Sequence, residues 1–269
     1  MSETKTKLEN EASEKLKTER YLVAYLDMLG SSEKIKRDGD NTALNQIDLI
    51  YRDVLELPSQ EALQYFQSFK IKIFSDNIIV AVKLSTGTNS YESKHLEITR
   101  LFQFVSYFQF IALHHYSWFV RGCITVGPLC INERLVWGKA LLEAYNIEAE
   151  QVIYPRVLIT NKVMNLLSAP HTYYSESGLS NTYQDYDGFT ILHFLKLFLK
   201  KGDDAHCLPV QNHLKEELHK HKKNRKILQK IRWTVNYYNL TCYELGLHEL
   251  MISVESELSG TKEYEINEG

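Results

Sequence analysis

Apolar positions along the first half of the chain follow two periods in turn. Residues 21–30, YLVAYLDMLG, form a short apolar run ending in Asp27 and Gly30, the pattern of a buried strand leaving a sheet. Residues 41–57 carry Leu44, Ile47, Ile50, Tyr51, Val54 and Leu55 at helical spacing, and Pro58 closes the segment. Residues 70–82, KIKIFSDNIIVAV, alternate, break at Ser75-Asp76-Asn77 and resume, which predicts two strands joined by a tight turn. A second long helical pattern runs over 94–116. After it come strand-like WFVRGCITVGPL with Gly127-Pro128 as its stop, a helix in VWGKALLEAYNIEAEQ entered through Gly138, and a strand in RVLIT.

The resulting order is βαββαβ with an αβ extension. It predicts an α+β fold of the split-βαβ kind, an antiparallel sheet with helices on one face. Beyond residue 160 the chain carries a polar, turn-rich piece, SESGLSNTYQDYDG, then FTILHFLKLFLK as strand or helix, then two helices around the basic run HLKEELHKHKKNRKILQKIRW. No repeat or long linker separates a second globular unit. The expected organisation is a charged arm, frayed or helical, over residues 1–19, a core over 20–160, and an extension over 161–269 packed on that core.

Composition narrows the function. A net charge of −3 gives no basis for bulk binding to a nucleic-acid polymer or an anionic membrane, so an anionic ligand has to be held locally. Cys123, Cys130, Cys207 and Cys242 contain no C-x-x-C pair and read as reduced thiols. The charged N-terminal stretch has no apolar signal core, and no run of about 18 apolar residues follows, so a soluble, cytoplasmic protein is expected. His114-His115 is not a metal pair, because adjacent helical residues face different ways. The basic run reads as a solvated helix face, and Trp233, Tyr237 and Tyr238 as packing residues.

The two carboxylates at strand ends carry the chemistry. In a split-βαβ sheet the first strand lies beside the hairpin, so Asp27 and Asp76 can meet across neighbouring strands. Two such charges about 4 Å apart repel by about 4 kcal/mol at an effective dielectric of about 20, so they share either a proton or a cation. Hard oxygen donors of this kind suit Mg²⁺ or Mn²⁺ together with phosphate oxygens. Gly30 and Ser31, where the chain turns toward a helix, offer backbone N–H groups for phosphate. The plainer alternative makes Asp27 a helix N-cap and Asp76 a turn former.

Specific strings add a resemblance. YLVAYLDMLG resembles the first strand of class III nucleotidyl cyclases, KIKIFSDNIIVA their metal-bearing hairpin, FVRGCITVGPL their fourth strand, and VWGKALLEAYNIEAEQVIYPRVLI the unit that follows. RGCITVG, GKALLEAYNIE, YPRVLI, DYDG and KIRWTVNYYN are similar to the bacterial pyrimidine cyclases of Pycsar anti-phage systems. The resemblance implies a ferredoxin-like cyclase core and a homodimer with active sites at its interface. It further implies conversion of UTP, or alternatively CTP, to the 3′,5′-cyclic monophosphate and pyrophosphate, with a separate effector sensing the product. It also implies two Mg²⁺ or Mn²⁺ ions on Asp27, Asp76 and the carbonyl of Met28.

The chain departs from the purine cyclases where they carry an Asn and an Arg on the helix after the Trp-Gly. Leu142 and Asn146 stand there, leaving Arg121, Lys139 or Arg156 as candidate cations and Asn146 beside the substrate. Lys72, four residues before Asp76, stands where purine cyclases place a base-selective residue and Leu135 at their second such position, with a plain surface strand residue the alternative for Lys72; Tyr51 reads as a core residue or as a wall for a small base. A nucleotide-binding protein of this fold without catalysis is the alternative those departures leave open.

Overall fold

The structure is a computed structural model that describes residues 16–37, 39, 41–56, 66–85, 91–168 and 173–259. Most of the arm expected over residues 1–19, and the Pro58 stop, lie outside the described residues. Leu16 to Thr18 are exposed, and strand β1 begins at Glu19 and runs to Met28. A turn at Leu29-Gly30 leads to the short helix α1, Ser31–Arg37, and then α2, Thr42–Leu55. The hairpin follows as β2, Phe69–Phe74, and β3, Asn77–Lys83, with Ser75-Asp76 as its turn. Ser75 adopts a φ of 57°, a left-handed conformation that a short polar side chain tolerates.

Helix α3, Tyr91–Tyr116, precedes β4, Val120–Ile131, the two-residue β5, Val136–Trp137, and α4, Lys139–Gln151. Then come β6, Val157–Ile159, the helices α5, Asn161–Leu167, and α6, Tyr173–Ser180, and the strands β7, Thr182–Gln184, and β8, Thr190–Leu192. The chain continues through α7, Asp204–His221, α8, Arg225–Leu245, and α9, Val254–Ser259.

The strands form one sheet in the order β2-β3-β1-β4-β6-β8-β7, with β5 hydrogen-bonded to β4. The first four are antiparallel neighbours and β6 is parallel to β4, the arrangement the βαββαβ order predicts. Asp27 lies opposite Asn77 on one side and opposite Arg121 on the other.

Three expectations about the elements change. Helices cover both faces of the sheet, not one. On β1, Leu22, Ala24 and Leu26 enter the main core with Phe102, Val105 and Phe108 of α3, while Tyr21 and Val23 enter a second core with Ala140 of α4. The run YLVAYL is apolar at both parities, as a strand buried on both faces has to be. Gly127-Pro128 does not end its strand. Pro128 pairs with Arg20 of β1, while β6 faces only Gly122 to Ile124, so the missing proline N–H falls where β4 has no second neighbour. The piece SESGLSNTYQDYDG supplies the end of α6, β7 and a tight turn at Asp185–Gly188. Three residues are too few to show a period, and pairing with β8 sets the conformation. FTILHFLKLFLK becomes β8 and a 3₁₀ turn at Leu195–Leu197.

Val210 and Leu214 of α7 and Tyr238 of α8 belong to the same continuous core as Leu26 and Phe108. His213 Nδ1 bonds the Leu113 carbonyl of α3 at 3.0 Å, which ties the two parts again. Among the described residues no helix is long and apolar enough to cross a membrane.

Candidate functional site

The site forms where β1 and the β2–β3 turn end together. The amide of Met28 donates to the carbonyl of Asp76 at 3.1 Å, so the two acidic residues are fixed by one backbone bond and the strand pairing beside it. Ser31 Oγ donates to Asp76 Oδ2, and Asn77 Nδ2 reaches Asp76 Oδ1 at 3.3 Å. Ser31 is buried, and its hydroxyl is engaged by Asp76. Gly30, at a φ of 82°, makes the turn that brings Ser31 back to the hairpin. The Met28 side chain is buried, which leaves its backbone to serve the site.

Arg121 of β4 donates from Nε to Asp27 Oδ2 at 2.9 Å and from Nη1 to the Val152 carbonyl at 3.0 Å, with Glu148 Oε1 of α4 at 2.7 Å from Nε. Burial raises the Asp27 carboxyl above its ordinary range. The hydrogen bond and charge of Arg121 oppose the rise and the charge of Asp76 adds to it. Burial likewise raises Glu148, opposed by Arg121 and reinforced by Asp27. Lys230 of α8 completes the cluster. Burial, with Arg121, holds its pKa below the ordinary lysine value against the pull of Asp27 and Glu148, and among the described residues its ammonium has no hydrogen-bond partner. Three carboxylates thus share one neighbourhood with two cations.

Glu148, Lys230 and Tyr25 are members that sequence reasoning missed. Glu148 sits on the buried face of α4, a signal the helical period carried, whereas Lys230 arrives from a distant helix that no local pattern joins to β1. Tyr25 donates to Asn77 Oδ1, rests edge-on against Tyr145, and has its hydroxyl pushed up to about 12 by burial, Glu148 and Asp27.

The other candidates lie around this centre. Lys72 Nζ donates to the Glu133 carbonyl at 2.7 Å, in the turn between β4 and β5. Tyr51 stacks on Phe108 and donates to the Ser75 carbonyl at 3.2 Å, supporting the turn from beneath. Asn146 and Leu142 are exposed on α4, and Lys139 opens that helix. Arg156 does not belong to the site. It is buried, paired through Nη1 to Asp185 and through both terminal nitrogens to Asp187.

Beside the carboxylates lies an apolar basin of about 930 Å³, with Tyr25, Asn77 and Ile79 on its sheet side and Trp137, Leu142 and Tyr145 opposite. Phe74 and Trp137 on its rim are 80% and 75% exposed. Exposed apolar surface of this extent beside a polar centre is the mark of an interaction face. Among the described residues no group of three or more His, Cys, Asp or Glu side chains could hold a metal ion, so a cation here would rest on the Asp27 and Asp76 pair, the backbone and its own ligand.

No protein-family model matches the chain, and no curated protein matches it. Solved structures with some likeness to it include the adenylyl cyclase CyaB from P. aeruginosa, at TM-score 0.42 and 12% identity over 57% of this chain and 83% of that one. Others are the monomeric guanylyl cyclase domain of the RhoGC fusion protein from Blastocladiella emersonii, at 0.43 and 12% over 65% and 94%, and a class III adenylyl cyclase-like ATP-binding protein from Pseudomonas aeruginosa, at 0.40 and 10% over 55% and 35%. Overlaps this loose lend no weight to an activity, and the chemistry rests on the residues themselves.

Proposed function

We propose that the chain is a metal-dependent pyrimidine nucleotide cyclase, acting on UTP, with CTP as the alternative, in anti-phage defence. The observation that supports it is the juxtaposition of Asp27 and Asp76, held on adjacent strand ends with the Met28 amide bonded to the Asp76 carbonyl.

The donor set fits a hard divalent cation. Burial and the charge of Asp76 disfavour the Asp27 carboxylate against the pull of Arg121, and the backbone of Met28 lies between the two acids. When bound on Asp27, Asp76 and the Met28 carbonyl, Mg²⁺ or Mn²⁺ would lower the pKa of the ribose 3′-hydroxyl and screen the triphosphate charge. The protein's own contribution is positional. Arg121, fixed by Glu148 and the Val152 carbonyl, orients Asp27, and Ser31 orients Asp76. Arg121 is thereby engaged through Nε and Nη1, which leaves Lys230, beside Asp27, and Lys139, in the wall of the basin, as cations to meet charge developing on the α-phosphate.

The apolar basin would receive the base. A second copy of the chain would cover its rim of Phe74 and Trp137, with Leu142 in its wall and Asn146 exposed further along α4. A separate effector would read the cyclic product. The non-catalytic reading keeps one observation in its favour, the ion pair by which Arg121 already neutralises Asp27.

The test is incubation of the purified chain with ATP, GTP, CTP and UTP, each with Mn²⁺, and separation of products by mass. A single cyclic pyrimidine monophosphate is expected. No cyclic product from a folded protein that still binds Mn²⁺ and nucleotide would replace the reading with the non-catalytic one.

A further inference from the structure

Helix α8 places Arg225, Gln229, Arg232 and Asn236 at intervals of four, three and four residues, which a helix aligns along one face. That face walls an open groove of about 590 Å³. Lys222, just before α8, adds a third cation, and Tyr154 and Tyr186 line the groove with them. Among the described residues no acidic side chain lines it. The three cations are exposed, and among the described residues none of them pairs with a carboxylate. Positive charge is thus gathered in one concave place on a chain whose net charge is −3.

The aromatic side of the groove is held rigidly. Tyr154 lies flat on Trp233, with ring centroids 5.6 Å apart and planes at 11°, and Trp233 lies in the same way on Tyr237 at 5.5 Å. The Arg156 guanidinium stands 5.3 Å from the Tyr154 ring centre, and Gln229 Nε2 donates to the Tyr154 hydroxyl at 3.2 Å. Tyr186 is 72% exposed and sits 6.3 Å from Tyr154, on the turn whose flanking Asp185 and Asp187 are clasped by Arg156. A fixed aromatic surface next to three unpaired cations recognises a planar ring that carries phosphate. The volume is within the range of small-molecule sites.

We propose that this groove is a nucleotide site separate from the Asp27 and Asp76 centre. It takes the phosphates of a mononucleotide on Lys222, Arg225 and Arg232 and its base against Tyr186 and Tyr154. Side-chain cations meet the phosphates here, so binding requires no divalent metal, and the inference stands apart from the cyclase reading.

The test is calorimetric titration of the full chain in EDTA with UTP, ATP, inorganic triphosphate and a single-stranded oligonucleotide. Metal-free nucleotide binding is expected. It should weaken about tenfold or more in Arg225→Gln/Arg232→Gln at unchanged melting temperature. Tyr186→Ala should weaken UTP and ATP while leaving inorganic triphosphate unchanged. The proposal is overturned if no nucleotide binds without metal, or if the double variant binds as the parent does. It is equally overturned if inorganic triphosphate matches the nucleotides, which leaves an anion patch, or if the oligonucleotide binds about a hundredfold tighter than either, which makes the groove a nucleic-acid surface. Turnover enters none of these readings, so failure of the cyclase assay leaves them intact.

Discussion

Arg121 and Asp27 face each other across directly opposed positions of β4 and β1, with Nε 2.9 Å from Oδ2. The pair sits at the point where the sheet would meet a triphosphate, so the carboxylate that would serve the reaction is also half of a largely buried ion pair, 16% exposed against 23% for its partner. Removing the arginine leaves Asp27 and Glu148 facing each other with only Lys230 nearby to offset them. Arg121→Met should therefore lose about 3 kcal/mol of stability in urea unfolding, the lower end of the range for breaking a buried pair.

Asp27→Asn and Asp76→Asn should each abolish cyclic product with Mn²⁺ while the circular dichroism spectrum stays that of the parent. Both substitutions keep the side-chain shape and remove the charge a divalent ion needs. Full turnover in either variant would reject the proposed activity.

Lys230→Met removes the second cation of the cluster without touching the Arg121 bridge. Turnover with UTP should fall by about 10² or more, on the scale of losing one group that stabilises transition-state charge, at little change in KM. A rise in KM alone would make Lys230 a binding residue only.

His193 is buried, with Nδ1 3.0 Å from the Tyr237 hydroxyl and Nε2 3.1 Å from Glu244 Oε2. Burial outweighs Glu244 and holds its pKa below the ordinary 6.5. The unfolded chain therefore binds a proton first as pH falls, and stability should decline from about pH 6.5 downward through the folded pKa, by up to about 1.4 kcal/mol per pH unit. His193→Gln should flatten that slope in urea unfolding measured between pH 7 and 5.

Lys34 holds its ammonium 3.4 Å from the ring centre of buried Trp118, and burial pushes its pKa down to about 8. In the reductively methylated protein one lysine resonance should titrate near 8 and be missing from Lys34→Arg.

Strand pairing and the two carboxylates were legible because period and turn chemistry are local. Asp76 at a Ser-Asp-Asn break and Asp27 at the end of an apolar run identify themselves within about ten residues. The placement of α4 was legible in principle, since YLVAYL is apolar at every position and needs a cover on each side. Lys230 and the Arg156 clasp were not. Each joins residues far apart in sequence, 29 positions between Arg156 and Asp185 and more from Asp27 to Lys230, and no period links them. Arg156 shows the hazard plainly. As an unassigned cation inside the cyclase-like string YPRVLI it invited a catalytic role, but Asp185 and Asp187 hold it in the interior.

The core that Val210, Leu214 and Tyr238 share with Leu26 and Phe108 bears on how this chain could ever be divided. Cut after residue 160, the first half would present the flank of α3 to water and lose Lys230 from beside Asp27. The region bearing the carboxylates thus depends on α7 and α8 to complete its core. A shortened expression product should be recovered only as aggregate unless α7 and α8 are supplied with it.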